Sequence, residues 1–230
     1  VRNIGIGEKE IHVIPNGVDL IPSSGRTQTG DGSDPAAIED GGSLLRDAHG
    51  LGGKFIALYA GAHGMANDLS QVLDAAAWLL EDPRIAIVLV GDGPEKQSLQ
   101  QRAQREQLNN LMFLPPLDKA SINSLLGEAD CGIAVLKAIP MFTTTYPNKV
   151  FDYMAAGIPV VAAIDGAIRQ VIEDGKAGIY VTPGAGSEIG KAIQRLADDP
   201  QATQQMGQNG RRYRSEEHTS ELQSQFRISY

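Results

Sequence analysis

The feature that most constrains this chain is a regular alternation of short apolar runs with segments of helical periodicity, continuing from Phe55 to Asp198. Phe55–Ala60, Ile85–Val90, Asn110–Leu114, Cys131–Leu136, Pro159–Ile164 and Gly178–Thr182 are near-continuous apolar runs of strand length, as buried parallel strands require. Between them lie helical segments. Leu69–Leu80 places Leu69, Val72, Leu73, Ala76, Leu79 and Leu80 on one helical face. Helices are also predicted over Glu95–Gln107, from Asp118 as a cap to Gly127, over Lys149–Ala156 with Gly157 as its stop, over Ala167–Glu173, and over Ser187–Asp198 with Ser187 as cap. Such alternation predicts an α/β fold: a doubly wound parallel sheet, Rossmann-like, with its ligand beyond the carboxyl ends of the strands.

Composition narrows the partners. The chain has 230 residues, 42% hydrophobic and 21% charged, with a formal net charge of −8 and no basic run, which argues against nucleic acid. No apolar run approaches the roughly 20 residues of a membrane-spanning helix. The single cysteine, Cys131, sits inside an apolar run, reads as a small buried hydrophobe and fits a reducing compartment. Four segments are expected: residues 1–22 as a linker and entrance to the domain, 23–53 as a flexible Gly/Ser/Asp-rich loop, 54–213 as the Rossmann-like domain, and 214–230 as a tail foreign to the fold. Val1–Gly5 carries no methionine and reads as beginning inside a longer protein; Arg214–Ser224 resembles the conceptual translation of a short-read sequencing adapter.

The chemistry is sought in the loops that follow strands. Gly61-Ala-His-Gly64 follows the first strand; its glycines let backbone N–H groups approach a phosphate at a helix N-terminus, or simply make a tight turn. His63 is a candidate donor to a phosphate or sugar oxygen, a solvated loop histidine being the alternative. Gly91-Asp-Gly-Pro94 follows the second strand; its two glycines, Gly91 and Gly93, suit close backbone approach to a base or ribose with Asp92 as a donor-binding candidate, or the loop is a simple turn in which Asp92 caps the next helix. The richest stretch is Thr143-Thr-Thr-Tyr-Pro-Asn-Lys-Val-Phe-Asp152, in which Pro147 suits the start of a helix. Lys149 then lies in the first turn, at the positive end of the helix dipole, where a bound diphosphate would compensate it. Asp152, three residues on, shares its face, either as an ion-pair partner or as a ligand group.

Ile14-Pro-Asn-Gly-Val-Asp19, Tyr59-Ala-Gly-Ala-His-Gly64, Val90-Gly-Asp-Gly-Pro94 and Pro147-Asn-Lys-Val-Phe-Asp-Tyr-Met-Ala-Ala-Gly157, in that order, resemble the C-terminal half of a family 4 glycosyltransferase, most similar to bacterial enzymes of O-antigen, colanic acid and related surface polysaccharides. The resemblance runs from about Ile11 to Tyr213. It implies one half of a GT-B two-domain fold, retaining transfer from a nucleotide-sugar with no metal and no further cofactor, a UDP-sugar before a GDP-sugar, and an acceptor domain on the N-terminal side. A cytoplasmic protein at the inner membrane face, with a lipid-linked glycan as acceptor, is a further implication.

By the same resemblance Asp152 holds the ribose hydroxyls, Lys149 with the backbone of Asn148, Val150 and Phe151 holds the leaving diphosphate, Phe113, Leu114 and Pro115 meet the base, Gly61 and Gly64 line the phosphate side, and Thr144 and Thr145 lie toward the sugar. The sequence departs from the family pattern at Thr144, where a carboxylate is usual, and at Ala62 and Asp68, where basic residues are usual. A nucleotide-sugar epimerase of the same fold and a non-catalytic nucleotide-sugar-binding module are the alternatives. The fragment alone is expected to be inactive in transfer.

Overall fold

A computed structural model describes residues 45–227, with side chains described as far as Glu216. The expected linker 1–22 with the Ile14–Asp19 motif, and residues 23–44 of the expected 23–53 loop, lie outside the described residues. Six strands, β1 (Phe55–Ala60), β2 (Ile85–Val90), β3 (Leu111–Leu114), β4 (Cys131–Val135), β5 (Val160–Ala163) and β6 (Gly178–Tyr180), form one sheet in the order β3-β2-β1-β4-β5-β6. Every neighbouring pair is parallel. The helices are α1 (Ser70–Trp78), α2 (Lys96–Arg105), α3 (Lys119–Glu128), α4 (Asn148–Ala156), α5 (Ala167–Asp174), α6 (Gly186–Asp198) and α7 (Pro200–Arg227). The expected doubly wound Rossmann-like sheet is therefore the observed one.

Two hydrophobic layers enclose the sheet, and the period of two along each strand divides residues between them. Ala57, Tyr59, Ile85, Ile87, Leu89, Cys131 and Ile133 pack on one side with Val72, Leu73, Ile189 and Ile193 of α1 and α6. Ile56, Leu58, Val88, Val90, Ala134 and Val160 pack on the other with Leu125, Val150, Tyr153 and Met154 of α3 and α4. Cys131 is fully buried, and burial pushes its thiol pKa up, as its reading as a core residue expects. Strand order reverses between β1 and β4, so the loops after these strands diverge and leave a crevice at their carboxyl ends.

Local signals succeed where the cap chemistry is strong. The Asp118 carboxylate accepts from the Ser121 N–H at 2.8 Å and starts α3. Replacing Asp118 by alanine should cost about 1 kcal/mol of stability, measured by urea denaturation, because an orphan helix N–H loses its acceptor. Gly157 stops α4 with φ 78°, while Gly157 and Ile158 donate back to Met154 and Tyr153 carbonyls.

Several expectations are corrected. Ser187 does not cap α6; the helix begins one residue earlier without a side-chain cap, and Glu188 instead accepts from the Thr182 N–H at 3.0 Å. Residues 45–53 are not a free loop: Leu45 and Leu51 are buried, and the Arg46 guanidinium donates to the Lys54 carbonyl, the Glu128 carbonyl and the Asp130 carboxylate. The glycines at 50, 52 and 53 masked these anchors in the sequence. Helix α7 crosses the boundary placed after Tyr213 without a break, and Arg214 is buried with its guanidinium 5.4 Å from the Phe151 ring.

Candidate functional site: a cleft at the carboxyl ends of β1 and β2

The loops after β1, β2 and β3 are tied together by backbone. Gly61 donates to the Val90 carbonyl at 2.9 Å, Gly91 to the Leu114 carbonyl at 3.3 Å, His63 to the Asp92 carbonyl at 2.8 Å, and Glu95 to the His63 carbonyl at 3.0 Å. Lys96, in the first turn of α2, donates to the Gly91 and Leu114 carbonyls at 2.7 and 3.1 Å. Loops this close leave no room for side chains. A Cβ on Gly91 would stand 2.0 Å from the Gly61 carbonyl oxygen, and one on Gly93 2.5 Å from that of His63. The sequence reading explained these glycines by a base or ribose; their immediate partner is the neighbouring loop. Asp92 does not cap α2 but accepts from the Gly93 N–H within its own turn.

Below these loops lies a cleft of about 440 Å³ bounded by Gly61, Gly91, Asp92, Pro116, Ile122, Lys149, Asp152 and Tyr153. Lys149 enters from the first turn of α4, a helix preceded by Pro147 and lacking a side-chain cap. Its ammonium sits 3.8 Å from the centre of the Tyr59 ring, a cation–π contact worth about 0.5–2 kcal/mol. Burial lowers its pKa to about 8. The ion pair that the Lys149–Asp152 spacing allowed is not among the ion pairs formed. The half-buried Asp152 carboxyl is instead pushed up by burial, with Lys119 and Arg214 pulling it back down. Thus the Lys149 ammonium, which pairs with no carboxylate among the described residues, and the half-buried Asp152 carboxylate face one cleft.

The other sequence-predicted residues divide by location. His63, a candidate to reach ligand oxygens, has no exposed surface; its ring lies between Tyr59 and Phe113, 6.1 Å from each, and neither ring nitrogen has a hydrogen-bond partner among the described residues. Burial first, then the Lys96 charge, lower its pKa and favour the neutral ring. Val150 is fully buried in the core, and its N–H donates to the Pro147 carbonyl at 3.0 Å. The Leu114 carbonyl is already engaged by Lys96 and Gly91. Phe113 is half-buried against His63, and Pro115 is exposed beside Pro116. A Cβ added at Gly64 would meet, among the described residues, only the Asn67 side chain within 4 Å, and the Gly64 carbonyl accepts from the Asn67 N–H at 2.9 Å. Thr144 and Asn148 are exposed and Thr145 half-buried on the approach to α4, and Phe151 stacks on the exposed Tyr146 at 6.5 Å.

Tyr59, Lys96 and Tyr153 are contributors that the sequence reading missed. Tyr153 accepts from the Ala60 N–H at 3.1 Å and donates to the Ile133 carbonyl at 3.3 Å, tying α4 to β1 and β4. Its ring fills the place where Gly132 lacks a side chain. Only the polar tips of these tyrosines within apolar patterns hinted at them. A second cleft of about 560 Å³ lies at the opposite, amino-terminal end of the strands, where Arg46 and Arg84 are held by Asp130 and by Asp82 and Asp198. Among the described residues no three His, Cys, Asp or Glu side chains cluster as a metal site would need, and no helix is long and apolar enough to cross a membrane.

A doubly wound sheet with a glycine-lined cleft and a lysine beyond the carboxyl ends of its strands defines the class of α/β domain that holds its ligand at a topological switch point. The family described as Glycosyl transferases group 1 matches residues 44–213, and the chain belongs to that family. It is 29% identical over 170 residues to the alpha-D-kanosaminyltransferase of Streptomyces kanamyceticus, covering 72% of this chain and 42% of that protein. It is 33% identical over 104 residues to an Escherichia coli protein named for colanic acid biosynthesis, WcaI, covering 45% of this chain and 25% of that one. The fold matches Anabaena Alr3699/HepE, solved with UDP (TM-score 0.67, 25% identity, 80% of this chain and 52% of that chain) and with UDP-glucose (TM-score 0.67, 26% identity, 76% and 47%). The chain spans about half the length, or less, of the relatives it matches.

Proposed function

We propose that this chain is the donor-binding half of a retaining glycosyltransferase, taking a sugar from a nucleoside diphosphate, UDP before GDP. The observation that carries the reading is the Lys149 ammonium, held at the start of α4 beside Gly61 and facing a cleft that also contains Asp152. A diphosphate there would meet the positive end of α4 and an ammonium that pairs with no carboxylate among the described residues. Asp152 would accept from the ribose hydroxyls, and its half-buried setting strengthens such bonds. UDP and UDP-glucose in the HepE structures support the choice of uracil.

Transfer then proceeds by leaving-group stabilisation. The bond from the anomeric carbon to the diphosphate oxygen breaks as charge builds on the diphosphate, and Lys149 with backbone N–H groups at the start of α4 meets that charge. The acceptor hydroxyl adds to the same face of the anomeric carbon, and its proton passes to the departing diphosphate. The acceptor side belongs to a second domain on the N-terminal side of the fold. This reading asks for no cofactor beyond the donor. It puts the reaction in surface-polysaccharide assembly at the inner membrane face, with a lipid-linked glycan as acceptor; the similarity to WcaI supports the pathway class.

Titration calorimetry of the chain against UDP, GDP and NAD tests the donor reading. Saturable UDP binding that Asp152→Ala weakens by at least tenfold is the expected result, in keeping with loss of charge-assisted bonds of about 1.5–3 kcal/mol each. NAD binding with neither uracil nor guanine nucleotide would defeat it.

A further inference from the structure

We propose that Tyr59 is a positioning residue for Lys149: its ring face, with the bare backbone of Gly61, forms a socket that aims the ammonium at the donor's diphosphate without neutralising it. The proposal rests on reading the cleft as a nucleoside-diphosphate site.

Three observations converge on the socket. The Lys149 Nζ stands 3.8 Å from the Tyr59 ring centre. Tyr59 is itself fully buried, and its hydroxyl donates to the Ala62 carbonyl at 2.8 Å, which fixes the ring against the loop after β1. A Cβ on Gly61, where φ is +150°, would stand 2.8 Å from that Nζ and 3.3 Å from the Tyr59 hydroxyl oxygen, so only glycine leaves room for the ammonium.

The chemistry explains why a ring serves here better than a carboxylate. A lysine stem is long and flexible, so an ammonium meant to meet a phosphate must be held before the phosphate arrives. A carboxylate would hold it, but would also cancel its charge and compete with the incoming anion. An aromatic face attracts the cation through its quadrupole without cancelling its charge, and the N–H donors turned away from the ring remain for phosphate oxygens. Burial already weakens the hold of Lys149 on its proton, and an arriving diphosphate would restore it. The glycine, the ring and the lysine come from the β1 loop, β1 and α4, so the socket exists only in the folded chain.

The test compares wild type, Tyr59→Phe, Tyr59→Leu, Lys149→Met and the Tyr59→Leu/Lys149→Met pair, by UDP calorimetry and by NMR titration with uridine, which lacks phosphate. Tyr59→Leu should weaken UDP about tenfold and leave uridine within about twofold, while Tyr59→Phe keeps UDP within about threefold. The double variant should bind UDP no more weakly than Lys149→Met alone, since both remove one interaction. Parallel losses for uridine and UDP, or additive effects in the double variant, would show that Tyr59 only fills the core and would overturn the proposal.

A nucleotide-free check covers variants that fold poorly. The Lys149 ε-methylene protons should resonate upfield of other lysines in wild type and in Tyr59→Phe, because they are bonded next to the Nζ that stands 3.8 Å from the ring centre. An unshifted signal in folded wild type overturns the socket. Wild type binding neither uridine nor UDP would instead remove the donor reading, and the role of the socket with it. UDP binding that is indifferent to Tyr59→Leu defeats this proposal alone.

Discussion

Lys149→Met is expected to lower the affinity of the chain for UDP by about 10- to 100-fold, the loss of one charge-assisted phosphate contact of about 1.5–3 kcal/mol. Methionine keeps an unbranched apolar stem and removes the ammonium. The pH dependence is the sharper signature. With a pKa of about 8 in the free protein, the ammonium is half lost at that pH, so UDP affinity should fall as pH rises past 8. Lys149→Met should lack this limb. Stability moves the other way: the folded pKa lies below the ordinary 10.5, so the unfolded chain holds the extra proton between about pH 8 and 10.5. Stability of wild type relative to Lys149→Met should therefore rise across that window and be lowest below it. Calorimetry and urea melts at pH 7, 8 and 9 measure both; equal pH profiles for the two proteins would remove Lys149 from the site.

Gly91→Ala should produce the largest stability loss of any single methyl added to the loops above the cleft. Its Cβ would stand 2.0 Å from the Gly61 carbonyl oxygen at a φ of +139°, so the β1 and β2 loops must separate. Overpacking and backbone strain each cost about 1–3 kcal/mol, and together they should lower the melting temperature by about 5–15 °C. Gly64→Ala is the control, because only the Asn67 side chain lies within 4 Å of its added methyl, at 3.9 Å. A melting temperature for Gly91→Ala as high as that of Gly64→Ala would mean that the two loops do not interlock. UDP binding should fall with Gly91→Ala as well, since Gly61 and Gly91 both line the cleft.

Much of the architecture was legible in the chain. Apolar runs such as Ile85–Val90 have one physical solution, a parallel strand covered on both faces, and β2 is buried at every residue. The capping of α3 by Asp118 and the stop at Gly157 follow from short-range hydrogen bonding and backbone sterics, which a local sequence encodes fully. The candidate site was legible as a set of loops but less so as a set of roles. Lys149 and Asp152 shared a predicted helix face, yet whether they paired with each other depended on what else the fold brought near each of them.

The order of strand and helix, the parallel sheet, and the end of that sheet where a ligand belongs were determined by sequence alone, because periodicity and cap chemistry act over a few residues. Tertiary structure decided the rest. It buried His63 between two rings, packed the glycines at 91 and 93 against the neighbouring loop, and set Lys149 on Tyr59, 90 positions away in the chain. Those outcomes rest on distances between segments remote in sequence, and burial, desolvation and cation–π attraction come into being only when folding brings such segments together.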